Sequence, residues 1–342
     1  MTKIFNAMII FVIALINFFI IIFPEQILLA SKNGIVLWFN NILPTILPFL
    51  ICANILIFSG FLEILSIFLE SISQKFFNLP GIFIFVFISG IISGYPVGSK
   101  LVVNLRKDKK ITREQANTLI MFCNNPGILF ILGTVATSML KNKYIGYFLI
   151  LTNYLTVLLI VFIFGFLSRI NNKKEKKFFT KEKFLFKFKR TFKKLMSNKK
   201  SIGYILSKSV SDAIESMLQI CGFIVLFSVI VKILELIKLC ELIYGFKPDF
   251  LLPNLDFNKF KGIFISLFEL TNGVKILCLN KLSKNLASIL ALVISFGGLS
   301  VHAQTFSLMS NTDISKKRYL ISKIIISLVV FLFSYIFYNF FN

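Results

Sequence analysis

Residues 93–100 read Ser-Gly-Tyr-Pro-Val-Gly-Ser-Lys, and they close an apolar run that begins at residue 79. From 79 to 99 there is no charged side chain, and this length suits a bilayer core of about 30 Å, which takes about 20 helical residues to cross. The two glycines and the proline interrupt that run. Because lipid offers no hydrogen bonds to an interrupted backbone, such a segment must face protein or a water-filled cavity. The stretch therefore predicts a broken or re-entrant helix inside a membrane protein.

Other uncharged runs support this fold class. Hydrophobic residues make up 56% of the 342 positions and the mean hydropathy is +0.83, which excludes a water-exposed globular domain. The sequence predicts an all-α polytopic membrane protein. Its continuous spans are expected at 4–23, 35–58, 144–168, 204–236 and 324–342, and its interrupted spans at 79–99, 115–140 and 285–312. We interpret the first run as a retained helix, because its 20 residues exceed a signal-peptide core of about 7–15 residues.

The positive charge is concentrated in one loop. Fourteen Lys or Arg residues lie between residues 169 and 200, against two Glu. Since membrane spans flank the loop, we expect it to be cytoplasmic and to touch anionic lipid through a Phe-rich amphipathic helix, and not to bind nucleic acid. By the same rule the basic segment 100–113 is cytoplasmic, whereas the connection 60–80 suits the opposite side.

Catalytic and metal chemistry find little support. The five cysteines are scattered without a C-x-x-C pair, and the chain has one histidine. These features argue against a disulfide framework and against a zinc site. No nucleophile–base arrangement is evident, so we expect neither a cofactor nor an enzymatic activity.

The chain is predicted to contain two related halves. A span, a glycine-broken segment, a basic link and a second broken segment occur twice in the same order, at a spacing of about 170–177 residues. Paired interrupted segments of this kind indicate a transporter site between the halves. The predicted division is 1–34 (N-terminal transmembrane helix and link), 35–168 (first repeat), 169–203 (basic loop), 204–312 (second repeat) and 313–342 (C-terminal transmembrane helix).

The interrupted segments supply the candidate side chains of the first half. The turn at 94–98 would expose backbone N–H groups to an anion, and Lys100 would either add a charge or reach the cytoplasmic surface. In the second segment, Asn124 and Asn125 precede a proline, which frees a carbonyl. Their amides would bind a solute, or the segment is a packed kink.

The second half offers a corresponding set. Glu269 either pairs with Lys275, lines an ion path or is an interfacial residue at the start of a short helix. His302 would serve a solute or a proton, or be a hydrogen-bonded core residue. The candidate substrate-binding residues are Gly94, Tyr95, Pro96, Gly98, Ser99, Lys100, Asn124, Asn125, Gly127, Glu269, Thr271, Asn272, Gly273, Gly297, Gly298, Ser300, His302 and Gln304.

Three motifs together resemble one known family. They are residues 93–100, residues 123–127 (Cys-Asn-Asn-Pro-Gly) and residues 296–304 (Phe-Gly-Gly-Leu-Ser-Val-His-Ala-Gln). In this order, over nearly the whole chain, they resemble the sporulation integral membrane protein family called YlbJ. That resemblance implies nucleoside-recognition or Gate repeats, distantly related to concentrative nucleoside carriers and to the membrane part of ferrous-iron transporters.

The resemblance also implies a function. It implies movement of dipicolinic acid, a small anionic solute, from mother cell to forespore, with the protein in the cell membrane or the outer forespore membrane. The alternatives are a non-transporting sporulation scaffold that docks partners on the basic loop, and a nucleoside or ion carrier of the Gate type. The sequence leaves open a coupling ion and a homo-oligomer.

Overall fold

The computed structural model describes residues 2–77, 79–171, 184–197, 201–246 and 256–340, and its regular secondary structure in these residues is helical. This confirms the predicted all-α class. The helices are α1 (Thr2–Ile22), α2 (Pro24–Leu37), α3 (Leu43–Phe58), α4 (Phe61–Phe77), α5 (Ile82–Ser93), α6 (Val97–Lys107), α7 (Arg113–Cys123), α8 (Lys143–Asn171), α9 (Phe184–Ser197), α10 (Ile202–Leu236), α11 (Leu239–Gly245), α12 (Phe257–Phe268), α13 (Leu270–Leu277), α14 (Lys284–Phe296), α15 (Gly298–Met309) and α16 (Lys316–Phe337). The π-helical segments Trp38–Ile42 and Phe130–Met139 connect α2 to α3 and lead towards α8.

Five helical stretches are long and apolar enough to cross a membrane, so the polytopic prediction is confirmed. They are Pro24–Phe58, Lys143–Leu167, Ile202–Leu236, Lys284–Met309 and Lys316–Phe340. The pair Glu63–Phe77 and Ile82–Ser93, bent by 92°, would make a sixth. The apolar stretch of α1, Ile10–Ile22, is shorter than these five stretches. A membrane crossing at 4–23 therefore stays a prediction.

Two long helices lie side by side in opposite directions. Asn54, near the end of α3, donates its Nδ2 to the Ser209 carbonyl at 3.1 Å, near the start of α10. Gly34 in α2 lies against Ser228, where a side-chain carbon on the glycine would come within 3.0 Å of the serine Oγ. The helix 24–58 is continuous across the predicted 34/35 limit, and the five-part division as a whole stays a prediction.

The interrupted segments fold into two helical hairpins. In the first, α5 and α6 turn back on each other at 94–96, and Gly90 and Gly98 both face the Cys123 carbonyl of α7. In the second, α12 and α13 turn back at Glu269, with Gly273 packed on the backbone of Ser266. The predicted break at 94–98 and the turn that contains the candidate residue Glu269 therefore occur where the chain reverses.

The first hairpin approaches α10 from that helix's N-terminal end. Lys100, just past the turn, donates its Nζ to Ser216 Oγ at 2.9 Å. At the hairpin's open end, Lys110 pairs with Glu63 Oε1 at 3.2 Å. Glu63 follows closely on α3, whose last turns pack beside the start of α10. The open end therefore lies towards the start of α10.

The second hairpin approaches α10 from the other end. Asn272, just past the turn, donates its Nδ2 to Ser228 Oγ at 2.9 Å, and Lys261 in α12 pairs with Glu235 Oε1 at 2.9 Å in the last turn of α10. Since α10 is about 50 Å long at 1.5 Å per residue, the two hairpins point towards its middle from opposite ends. The two hairpins are thus inverted relative to each other, while two related halves stay a prediction.

One predicted orientation is wrong. The connection 60–80 was expected on the side opposite the basic segment 100–113, yet the Glu63–Lys110 ion pair places its start on the same side. The helix α9 of the basic loop lies there too, because Phe188 packs edge-on against Phe68 of α4 with ring centroids 5.7 Å apart. The packing of α4 against α5 and α9 places this connection, and the acidic residues from which its side was predicted do not. Residues 172–183 and 198–200 of the loop lie outside the described residues.

An ion pair joins the open end of the first hairpin to the second half. Arg106 donates its Nε and Nη2 to the two carboxylate oxygens of Asp313 at 2.9 and 2.7 Å. These hydrogen bonds lower the pKa of the Asp313 carboxyl, which lies in the loop between α15 and α16. The second half therefore reaches across to the side where the first hairpin opens.

The close approach of the first hairpin to α7 gives a stability prediction. In Gly98→Ala the new methyl group would meet the Cys123 carbonyl, so we expect a loss of about 1–3 kcal/mol, typical of overpacking. The measurement is thermal unfolding of the purified protein in detergent. The matched control is Gly222→Ala in α10, where a new methyl group meets nothing within 4 Å. Equal stability of the two variants would contradict this packing.

Candidate functional site

A cavity lies where the interrupted segments of both halves meet. Its volume is about 50 Å³, room for a few water molecules. It lies beside the middle of α10, between the two contacts that the hairpins make with that helix. The lining residues are Ile42, Ile46, Gly94, Tyr95, Gly127, Phe130, Ile220, Ile224, Glu269, Leu270, Thr271, Ser300, Val301 and Gln304.

Two glycines bring the first turn onto the break after α7. Gly94 has φ +76°, a left-handed conformation that favours glycine. A side-chain carbon on it would come within 2.7 Å of the Gly127 nitrogen. The carbonyl of Pro126 in the break accepts a hydrogen bond from the Tyr154 hydroxyl of α8 at 2.5 Å. The predicted interruption is therefore held by protein and not by lipid.

The break between α14 and α15 lies next to the turn between α5 and α6. Gly297 and Gly298 have φ of +95° and +74°, and Gly298 packs against the Ser266 carbonyl of α12. The ring of Tyr95 lies in van der Waals range of the position where a Gly297 side chain would start. One aromatic ring thus bridges the two halves beside the cavity.

Glu269 places a carboxylate in the cavity wall. It is 2% exposed, and its Oε2 accepts a hydrogen bond from the Asn272 backbone N–H at 2.6 Å, which caps α13. The expected pair with Lys275 does not form among the described residues, because Lys275 is exposed on the outer face of this short helix. Glu269 thus lies at the start of a short helix, but buried, and a place on an ion path stays a prediction.

Lys100 does not reach the cavity. Its Nζ donates a hydrogen bond to Ser216 that ties α6 to α10, and its side chain is half-buried, so anion contact and reaching the surface both stay predictions. Among the described residues, no Lys or Arg lines the cavity. In this conformation neither Lys100 nor Lys275 lines the cavity.

The side-chain amides of Asn124 and Asn125, in the break after α7, do not line the cavity. Asn124 donates its Nδ2 to Tyr319 OH at 2.7 Å and to Thr305 Oγ1 at 3.1 Å. His302 Nδ1 lies 3.0 Å from the same Tyr319 hydroxyl. Asn125 donates to the Phe122 carbonyl at 2.6 Å and so closes the end of α7. We call the group Asn124, His302, Thr305 and Tyr319 the buried polar cluster.

The predicted site residues therefore divide into two sets. Seven line the cavity: Gly94, Tyr95, Gly127, Glu269, Thr271, Ser300 and Gln304. The others lie around it, as packing glycines, helix starts or members of the buried polar cluster: Pro96, Gly98, Ser99, Lys100, Asn124, Asn125, Asn272, Gly273, Gly297, Gly298 and His302. A role in binding stays a prediction for both sets.

Two features escaped sequence reasoning. Seven of the fourteen lining residues were not predicted, and all seven are aliphatic or phenylalanine, for example Ile220 and Ile224; apolar residues in a membrane helix carry no signal of a cavity. Lys323 was left out because the predicted span began at residue 324, yet it is 1% exposed within α16. A lysine one helical turn beyond a tyrosine in an apolar run was a signal that could have been used.

Comparison with known proteins decides the family. No family model matches the chain, and no solved structure matches it. The sporulation integral membrane protein YlbJ of Bacillus subtilis (strain 168) is 31% identical over 315 residues, an alignment that covers 88% of this chain and 75% of the relative. The chain belongs to the YlbJ family. As a member of the YlbJ family with several membrane-spanning helices, it is an integral membrane protein, whereas Gate-type repeats stay a prediction.

The buried polar cluster gives a second stability prediction. In Tyr319→Phe the hydroxyl that links Asn124 to His302 is removed, so a buried amide loses a partner, which costs about 1–3 kcal/mol. Thermal unfolding in detergent measures this loss. The control is Tyr335→Phe on the same helix, whose ring faces Lys284 and keeps that contact. An unchanged unfolding temperature in Tyr319→Phe would contradict the cluster's structural role.

Proposed function

We propose that the chain is a membrane carrier, and not an enzyme, that moves a small carboxylate solute during endospore formation. One observation supports this most: interrupted segments of both halves surround one cavity beside the middle of a spanning helix. Unwound backbone at membrane depth is tolerated where it lines a cavity, and inverted hairpins that meet at such a point are a carrier arrangement. The family's sporulation name and the resemblance favour dipicolinate, carried from mother cell to forespore through the outer forespore membrane.

The cavity is too small for dipicolinate in this conformation, so the proposal requires an opening movement. At about 50 Å³ it holds only a few waters. The positive-φ glycines at 94, 297 and 298 lie at the ends of helices that line it. Movements of one half against the other, with hinges at such helix ends, would enlarge the cavity towards one side at a time.

Glu269 determines which form of the solute fits. The described lining contains one carboxylate and no Lys or Arg, so an ionised Glu269 would repel a carboxylate solute. With a proton on Glu269, the acid would donate a hydrogen bond to the solute's carboxylate, as protonated carboxyl groups do in apolar sites. The polar partners beside it are Thr271, Ser300 and Gln304.

Gln304 gives a direct test of the cavity. Among the described residues its amide makes no hydrogen bond that would be lost, so Gln304→Ala should weaken dipicolinate binding by about 0.5–1.5 kcal/mol, roughly two- to tenfold. The measurement is binding of radiolabelled dipicolinate to purified protein, and uptake into proteoliposomes. The control Ser307→Ala lies on the exposed face of the same helix and should bind as wild type.

Two results would overturn this proposal. One is the absence of dipicolinate uptake by the wild-type protein together with normal folding. The other is equal binding by both variants. Nucleosides and simple dicarboxylates serve as competing solutes and decide between the carboxylate carrier and a nucleoside carrier.

The protonated state of Glu269 can be imitated. Glu269→Gln keeps an acceptor for the Asn272 N–H and supplies a permanent donor, so we expect dipicolinate binding to persist and to lose its dependence on pH. Binding of the wild-type protein should strengthen as the pH falls, because the proton is then supplied. Titration of binding against pH in both proteins measures this, and a parallel pH profile would argue against the role of Glu269.

A further inference from the structure

Lys323 is a lysine in the interior of a membrane-spanning helix. It belongs to the span Lys316–Phe340, lies about 10 Å along α16 from the first residue at 1.5 Å per residue, and is 1% exposed. A lysine that reaches the membrane surface would show its amine to water. Lys323 does not, so its amine is enclosed by protein.

Lys323 has no acidic counter-ion beside it on the described helices around α16. The helices packed against α16 are α7, α8, α14 and α15. Together with α16 they contain one acidic residue in the described chain, Glu114, which is exposed at the start of α7 and paired with Arg318 at 2.6 Å. Among the described residues, Lys323 Nζ has no hydrogen-bond partner. A buried ammonium without a partner is costly, so the enclosed amine is stable only as the neutral form or beside a bound anion.

Lys323 does not line the cavity between the two hairpins, and the titratable groups around it are themselves buried. Lys323 interacts electrostatically with Cys123 of α7 and His302 of α15, and Tyr319 precedes it by about one turn on the same face of α16; each of these three groups is at most 1% exposed. Tyr154 of α8 is turned to the Pro126 carbonyl, and Lys284 of α14 lies over the Tyr335 ring. His302 Nε2 is also without a partner among the described residues. Two buried nitrogens without a hydrogen-bond partner among the described residues suit the exchange of a proton, which needs no cavity of ionic size.

We propose that Lys323 is a proton-exchange site that couples solute movement to a proton gradient. This rests on the proposed carrier function. When the site opens to water on one side, the lone pair of the neutral amine takes a proton from water. When it opens to the other side, that N–H bond breaks, the proton leaves to water and the electron pair stays on Nζ.

Helix α15 connects this site to the cavity. Ser300 and Gln304 line the cavity, while His302 and Thr305, on the other face of the helix, belong to the buried polar cluster with Tyr319. A movement of α15 that widens the cavity must therefore also disturb the packing around Lys323. Protonation of Lys323 and solute occupancy would thus bias the same helix.

The charge state of Lys323 is measured first, without any solute. In purified protein with ¹⁵N-labelled lysine, nuclear magnetic resonance distinguishes a neutral amine from an ammonium. At neutral pH we expect one neutral amine signal in the wild type, its loss in Lys323→Met, and its retention in Lys317→Met, an exposed lysine on the same helix. An ammonium at Lys323 would overturn the proposal.

Transport is measured second, in proteoliposomes with radiolabelled dipicolinate. In Lys323→Met we expect loss of accumulation driven by a pH gradient, while exchange of internal for external solute without a gradient continues. Lys317→Met should behave as wild type in both assays. If Lys323→Met retains gradient-driven accumulation, or loses exchange to the same degree while still folded, the coupling role is wrong. If the wild type carries no dipicolinate, the proposed function fails, and the resonance measurement alone decides the proton site.

Discussion

Every helix break in this protein has to satisfy its backbone polar groups without help from lipid. An unpaired N–H or C=O in the hydrocarbon region costs several kcal/mol, so each break needs a protein partner. The Tyr154 hydroxyl donates a hydrogen bond to the Pro126 carbonyl, and the Asn125 side chain donates one to the Phe122 carbonyl. The Glu269 carboxylate accepts one from a backbone N–H in the first turn of α13. These polar residues in the apolar runs therefore satisfy backbone groups at the breaks. The cavity lies where those breaks face one another.

The inverted arrangement follows from how the hairpins contact α10. One reaches it through Lys100 and Ser216, the other through Asn272 and Ser228, and the cavity lies against Ile220 and Ile224 between those contacts. A site held between two oppositely directed hairpins can be opened from either end without breaking the long helices. This connects the packing of the YlbJ-family chain to the carrier proposal.

The sequence predicted the breaks well and their chemistry less well. Glycine, proline and asparagine within uncharged runs marked the interruptions at 94–98, 124–127 and 297–298, because those residue types change backbone hydrogen bonding locally. Lys100 and Asn124 contact residues more than 100 positions away, and His302 contacts Tyr319 on the next helix, so their distance from the cavity could not be read locally. The orientation of 60–80 was wrong because charge counts ignore tertiary ion pairs such as Glu63–Lys110. Lys323 was missed because its burial is set by four other helices.

The most direct test of the account is whether the cavity opens in turn to each side of the membrane. Ser300 is 2% exposed and lines the cavity, so a single cysteine at Ser300→Cys, with the five native cysteines replaced, reports on access. With a membrane-impermeant maleimide applied to proteoliposomes, the account predicts labelling from either side and protection by saturating dipicolinate. Labelling from neither side, or labelling that dipicolinate leaves unchanged, would contradict it.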